Sequence, residues 1–157
     1  MVSAPLTPVA SGDDKARLRL WVRLLRLSRS VEGELRERFK TRFDSTLPRF
    51  DVMAALWRAP GGMMMSELSR FLLVSNGNVT GIVDRLVVDG LVARAAREGD
   101  RRTSVVRLTS SGRDAFAAMA RAHAEWIDEL LGGIVPADAE RLVDMLTMFR
   151  STWEDGE

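Results

Sequence analysis

Ser75-Asn76-Gly77-Asn78-Val79-Thr80-Gly81-Ile82-Val83-Asp84-Arg85-Leu86-Val87-Val88-Asp89-Gly90 reads as one helix with two unlike faces. Ser75 puts a hydroxyl at the N-cap, where it can accept an otherwise unpaired backbone N–H. Gly90 stands where a helix commonly turns left-handed as it ends. Val79, Ile82, Val83, Leu86 and Val87 recur at helical spacing and form an inward stripe. The other face carries Asn76, Gly77, Asn78, Thr80, Gly81, Asp84 and Arg85. Each glycine there costs about 1 kcal/mol against alanine in a helix. A helix that only filled space would gain from alanine at both positions. A helix pressed into a groove has a use for bare backbone, and the Asn and Thr side chains beside it suit base edges.

Upstream, Met65 to Leu73 reads as a short helix with Leu68, Phe71 and Leu72 inward, and Val74-Ser75 connects it tightly to the next. Two short helices joined in this way form a helix-turn-helix, whose second helix enters the DNA major groove. Downstream, Leu91 to Ala96 and Ser104 to Leu108 read as strands, with Arg97 to Thr103 turning between them. This is a hairpin with a basic tip.

The run from Leu68 to Gly112, with Asp100-Arg101-Arg102 and Leu108-Thr109-Ser110-Ser111-Gly112, resembles the MarR family of bacterial winged helix-turn-helix regulators. The likeness extends from about Leu18 to Trp153, and its specific part is Asp-x-Arg followed by Leu-Thr-x-x-Gly. The fold it implies is mainly α with a small β-hairpin wing: a winged helix-turn-helix plus a helical dimerisation region. Residues 1–13 are expected to be a flexible tail and 14–157 a single domain. Within it, 14–45 and 110–157 would dimerise and 46–109 would form the winged helix-turn-helix.

A chain of 157 residues suits one domain with a proper core. Its 46% hydrophobic and 29% charged content is that of a soluble globular protein. No apolar run is long enough for a membrane span. Met1 to Asp13 lacks the basic start and apolar centre of a signal peptide. The absence of cysteine excludes disulfides, thiolate ligands and thiol redox sensing. The cytoplasm is the expected location. The net charge of +1 hides an uneven distribution. Arg17 to Arg42 carries nine basic and three acidic residues, whereas Ser110 to Glu157 carries four basic and ten acidic ones. Ser66 to Thr109 is net +2. Such a dipolar chain can meet DNA on one side while staying near neutral overall.

Asp14 to about Phe43 reads as a long helix with two stripes. One holds Leu18, Val22, Leu25, Leu35, Phe39 and Phe43, the other Leu20, Leu24, Leu27 and Val31. Two stripes on one basic helix point to two neighbours, one of them in a second chain. Pro48 opens a second helix, to about Arg58, with Phe50, Met53, Ala54 and Trp57 inward. Met63-Met64-Met65 suits adaptable core filling or a pliable pocket wall. Thr109 caps a helix to about Leu131 bearing Phe116, Met119, His123, Ile127 and Leu130. Pro136 opens the last helix, with Leu142, Met145, Leu146, Phe149 and Trp153 on one side. The terminal helices are expected to make a homodimer.

The expected DNA contacts are Ser75, Asn76, Gly77, Asn78, Thr80 and Gly81 on the recognition helix, with Ser66, Arg85 and Arg94 on phosphates. Arg101 and Arg102, flanked by Asp100 and Thr103, are a solvated charge cluster on one reading and minor-groove cations on the other. The resemblance implies the second, with Asp100 bracing Arg102 as the groove residue. His123, the single histidine, is expected to be a core or interface residue. No metal site, cofactor or catalytic motif is recognisable: there is no Gly-x-Ser-x-Gly, phosphate loop or His-Glu-x-x-His.

In MarR proteins a small, often aromatic and anionic ligand lies between the dimerisation helices and the DNA-binding part. Trp21, Phe50, Met53 and Trp57 offer an aromatic cavity, with ordinary core as the alternative. Arg36, Arg38, Lys40, Arg42 and Arg49 offer a phosphate grip, with a solvated face as the alternative. Through Leu47 to Met53 and Ser75 to Gly81 the chain is also similar to regulators that respond to hydroxycinnamoyl-CoA thioesters. The expected function is therefore a repressor that leaves a pseudo-palindromic, double-stranded DNA operator when an aromatic or aryl-CoA effector binds. The rivals are an effector-independent architectural or protein-binding winged helix and a small helical enzyme, against which the missing catalytic motifs speak.

Overall fold

The computed structural model describes residues 12–154, with backbone alone for 13, 97, 100–103 and 150–154. The order is α1 (Gly12–Phe43), α2 (Leu47–Arg58), α3 (Met65–Leu72), α4 (Asn76–Val88), β1 (Val92–Arg97), β2 (Asp100–Leu108), α5 (Ser110–Leu131) and α6 (Pro136–Glu154). This is the expected mainly α fold with a winged helix-turn-helix. The expected tail over residues 1–13 lies outside the described residues up to Ser11, and α1 begins at Gly12, two residues earlier than read.

Helix α2 is the hub. Thr46 caps it, accepting from the Arg49 N–H at 3.4 Å, and Pro48 sits in its first turn, where no N–H is missed. It packs against α1, α3, α4, α5 and β2. The one-sided stripe expected on it is too narrow: Val52, Ala55 and Leu56 are buried as well, while Trp57 is 43% exposed. A helix with neighbours on all sides needs apolar residues all round.

The core joins α2, α4 and the wing to the second half of α1 and to α5. Phe39 meets Phe50 at 4.8 Å and Trp126 edge-on at 5.1 Å; Phe50 stacks on His123 at 4.8 Å and Phe116 at 5.5 Å. Such offset and edge-on pairs add to burial. Trp126 and Ala122, absent from the expected stripe on α5, are buried. Of the two stripes expected on α1, Leu35 and Phe39 are buried, whereas Leu18, Leu20 and Leu27 are 49–59% exposed.

Strands β1 and β2 pair antiparallel, Val92 opposite Leu108 and Ala96 opposite Ser104. The turn is tighter than expected, Glu98-Gly99 alone, because Gly99 takes φ +80. The register then jumps to Arg97 opposite Asp100, so residues 101–103 bulge from the β2 side. Arg101 and Arg102 thus sit in a bulge rather than at the tip. Met63 bridges to Val106 through two backbone hydrogen bonds of 3.0 and 2.8 Å, a third rung at the sheet edge.

The motif Leu108-Thr109-Ser110-Ser111-Gly112 has a structural cause. The Thr109 hydroxyl donates to the Gly90 carbonyl at 2.7 Å and accepts from the Gly112 N–H at 3.0 Å. It caps α5 and ties it to the end of α4. A Cβ on Gly112 would meet the Leu91 carbonyl oxygen at 1.9 Å, so only glycine fits there.

Candidate nucleic-acid interface

Helix α3 closes its first turn with Glu67, whose carboxylate accepts from the Met64 N–H at 2.8 Å. It ends at Leu73, left-handed at φ 54 and 91% exposed. Phe71, expected inward, is 53% exposed. The inner position goes to Ser69, whose hydroxyl donates to the Asn76 side-chain oxygen and so fixes the angle between α3 and α4.

Helix α4 begins as read. The Ser75 hydroxyl accepts from the Asn78 N–H at 3.4 Å, and Gly90 takes φ +73 beyond its end. Val79, Val83 and Leu86 are fully buried, while Ile82 and Val87 are half-buried. Ser75, Asn76, Gly77, Asn78, Thr80, Gly81 and Arg85 are all exposed on one side. The Thr80 hydroxyl donates back to the Asn76 carbonyl at 2.8 Å. A Cβ at Gly77 or Gly81 would find nothing within 4 Å. No neighbour within the chain therefore excludes a side chain at either glycine.

Ser66, Asn76 and Arg94 line one recess between α3, α4 and the wing. Arg94 is not free there, since it donates to Asp84 at 2.5 Å. The side chains of Asp100, Arg101, Arg102 and Thr103 lie outside the described residues.

The residues expected to hold an effector are not brought together. Phe50 and Met53 are closed core, 7% and 0% exposed, because aromatic and apolar neighbours fill the space around α2. Trp57 leans on Phe116 at 5.1 Å, and Trp21 is 59% exposed on the first half of α1. Arg36 pairs with Glu32 at 3.0 Å. Arg38 grips Glu129 at 2.6 and 3.3 Å, a bond that holds the Glu129 carboxyl below its usual range and raises Arg38. Arg49 pairs with Asp89. Spacing along α1 shows Glu32 one turn before Arg36, but it could not show Glu129 beside Arg38 or Asp89 beside Arg49.

One cleft does adjoin the recognition helix. It has a volume of about 940 Å³ between the α1–α2 turn and α4, lined by Thr46, Arg49, Gly77, Gly81, Arg85 and Met119 among others. Of the expected effector residues only Arg49 lines it. The Ser45-Thr46-Leu47-Pro48 helix start was the available signal for its floor. His123 is half-buried against Phe50, and burial lowers its pKa below the usual histidine value. Among the described residues no cluster of histidine and carboxylates is placed to hold a metal, and no single helix is long and apolar enough to cross a membrane.

A buried hub helix, a two-helix unit with a bare outer face, and a two-stranded wing define a winged helix-turn-helix protein. The MarR family model matches residues 45–104. A MarR family transcriptional regulator from Silicibacter pomeroyi is 33% identical with a TM-score of 0.73, over 94% of this chain and 99% of that one. The chain belongs to the MarR family, whose members regulate transcription and are not enzymes. It is similar to the transcriptional activatory protein BadR of Rhodopseudomonas palustris, 38% identical over 78 residues, which are 48% of this chain and 45% of BadR. With two further curated regulators the matches cover 61% and 62% of their length, so the chain spans about half to three fifths of these relatives. CouR from Rhodococcus jostii, solved bound to p-coumaroyl-CoA, shares the fold at 19% identity and a TM-score of 0.72, over 80% of this chain and 87% of CouR.

Proposed function

We propose that this chain is a homodimeric repressor that occupies a pseudo-palindromic operator through α4 and the wing and leaves it when an aromatic effector binds. The observation that carries the reading is the outer face of α4. Gly77 and Gly81 stand open there beside exposed Asn78, Thr80 and Arg85, as a helix lying in a major groove requires. Two heads are needed to span two half-sites. The exposed apolar residues of α1 and α6 supply a surface for the second chain, with residues 14–45 and 110–157 on the dimerisation side. Arg101 and Arg102 are assigned to the minor groove, with Asp100 bracing Arg102 and Thr103 beside them, and the cytoplasm follows from work on DNA.

The effector reading rests on the cleft beside α4. A ligand there touches Gly77, Gly81 and Arg85, the face that also meets DNA, so each binding state disfavours the other. CouR is bound to an aryl-CoA in its structure; an aryl acid or its thioester is the class proposed here. Arg49 and Arg85 supply the cations, in place of Arg36 and Arg38.

The test selects duplexes from a random pool with the full chain, then compares Gly81→Leu. The variant should fold at least as stably, since leucine is the better helix former and its Cβ meets nothing within 4 Å. It should lose about 100-fold in affinity for the selected site, the scale of two base contacts. Unchanged affinity in Gly81→Leu would show that this face does not meet DNA.

A further inference from the structure

Arg94 stands on β1 opposite Val106, and its guanidinium donates to the Asp84 carboxylate on α4 at 2.5 Å. Asp84 lies on the same exposed side of α4 as Thr80 and Gly81. The pair therefore joins the reading helix to the wing. Its side chains keep 41% and 57% of their surface in solvent, and an exposed ion pair of this kind is weak. Arg94 also borders the open recess of about 660 Å³ between α3, α4 and the sheet. The polar residues there are Ser66, Asn76 and Ser104, with no carboxylate among the lining residues. The Asn76 side-chain oxygen is already taken by Ser69, which leaves its N–H donors for the recess.

We infer that Arg94 exchanges Asp84 for a phosphodiester of the duplex, and that Asp84 thereby becomes a specificity-determining residue. This rests on the reading of α4 as the DNA-entering helix. A guanidinium, two hydroxyls and a carboxamide are the groups that hold a phosphodiester. In the free protein the Arg94 charge is answered by Asp84. On DNA the phosphate answers it, and Asp84 is left on a face pressed against a polyanion.

An ionised carboxylate only accepts hydrogen bonds. Guanine offers N7 and O6 in the major groove and thymine offers O4, all acceptors, so against these Asp84 is repelled; adenine sets its N7 acceptor beside its N6 amino donor, which suits a carboxamide better than a carboxylate. Cytosine offers its N4 amino group, a donor that a carboxylate can receive. Asp84 thus weakens binding to most sequences and weakens it least where each half-site places a cytosine amino group opposite it. Ser104, which no sequence pattern singled out, becomes a phosphate contact.

The experiment selects duplexes from a random pool with the full-length wild type, Asp84→Asn and Arg94→Ala, then titrates selected and unrelated duplexes at several salt concentrations. Asp84→Asn should bind unrelated duplex about tenfold more tightly and lose one cytosine preference per half-site, the effect of one base position. Arg94→Ala should weaken binding to all sequences alike and reduce the slope of log affinity against log salt by about 0.9, one phosphate contact. A purely structural tie would make both variants lose affinity in the same direction. Equal losses in both, or an Asp84→Asn selection identical to wild type, would overturn the inference while leaving the DNA reading intact. A wild type that enriches no duplex would overturn the DNA reading and this inference with it.

Discussion

Arg49, on the hub helix α2, is paired with Asp89, the residue that ends the recognition helix α4. Arg49 is 18% exposed, and its Nε is buried without a hydrogen-bond partner at the edge of the cleft. Asp89 in turn donates its backbone N–H to the Arg85 carbonyl at 3.0 Å. The pair therefore holds the far end of α4 against the core, while Nε remains a donor without an acceptor. A carboxylate in the cleft would compete with Asp89 for the Arg49 guanidinium, and would reach Nε only if that side chain turned out of its buried position.

Arg49→Ala removes the tie and leaves Asp89, already 45% exposed, in water. Stability should fall by only about 1 kcal/mol, since Asp89 stays solvated and its side of the pair is screened. Operator affinity should change little. The sensitivity of the operator complex to an aryl-CoA or aryl acid should fall at least tenfold, because the ligand loses a charge-assisted contact. Calorimetry on the free protein and competition on the DNA complex read the two effects separately. Full retention of effector affinity would exclude Arg49 from the site.

Gly112→Ala should be among the most destabilising single-methyl changes in the chain. The new Cβ would press on the Leu91 carbonyl, which is backbone and cannot swing aside. Either the start of α5 or the junction from α4 into β1 must move, at a cost of about 3 kcal/mol, the upper range for overpacking. Urea unfolding of the variant against wild type measures it. Gly77→Ala, with open space at its Cβ, should gain slightly in the same assay.

The helix-turn-helix was legible in the residues because its rules are local. Ser75 caps and Gly90 stops α4, the valines between them keep helical spacing, and α4 formed where those signals lay. What the residues hid was pairing across the fold. Arg38 reads along α1 as a phosphate grip or a solvated cation with Glu34 one turn before it, but its shorter pairing is with Glu129 on α5. Phe50, Met53 and Trp57 look like a pocket wall along α2, but neighbours on every side close over the first two. Trp126 is not apparent from the stripe through His123 on α5, because the buried face is centred one position away, on Ala122 and Trp126. The wing was drawn too loosely because Gly99 permits a turn tighter than the charged run around it suggests.

His123 makes stability depend on pH in a defined direction. Burial lowers its pKa in the folded chain, so the unfolded chain takes the proton first as pH falls. Stability from the neutral ring is therefore fully present above about pH 6.5 and is lost as pH falls from there through the folded value. His123→Phe keeps a ring against Phe50 and cannot titrate. Its urea midpoint should be flatter than that of wild type between about pH 7 and 5. Parallel curves for the two proteins would mean that the ring is protonated as easily folded as unfolded.

No described residue of α6 belongs to the core, and Leu142, Val143, Met145 and Leu146 are 47–63% exposed. On α1, Leu18, Leu20, Trp21 and Leu27 are exposed to a similar degree. Two apolar helix faces left in water on one chain mark an association surface. The charge pattern favours the same contact, since Arg17 to Arg42 is basic and the chain from Ser110 onward is acidic. Leu142→Glu with Leu146→Glu should leave the aromatic core around Phe39 and Phe50 untouched, because neither leucine reaches it. The near-ultraviolet signal of the buried rings should persist. Sedimentation at micromolar concentration should shift from dimer to monomer. Operator affinity should fall by about 100-fold or more, because each head then binds its half-site without the effective concentration its tethered partner supplies. A wild-type chain that sediments as a monomer while still holding a two-fold operator tightly would remove the terminal helices from the dimer and leave those faces for another protein.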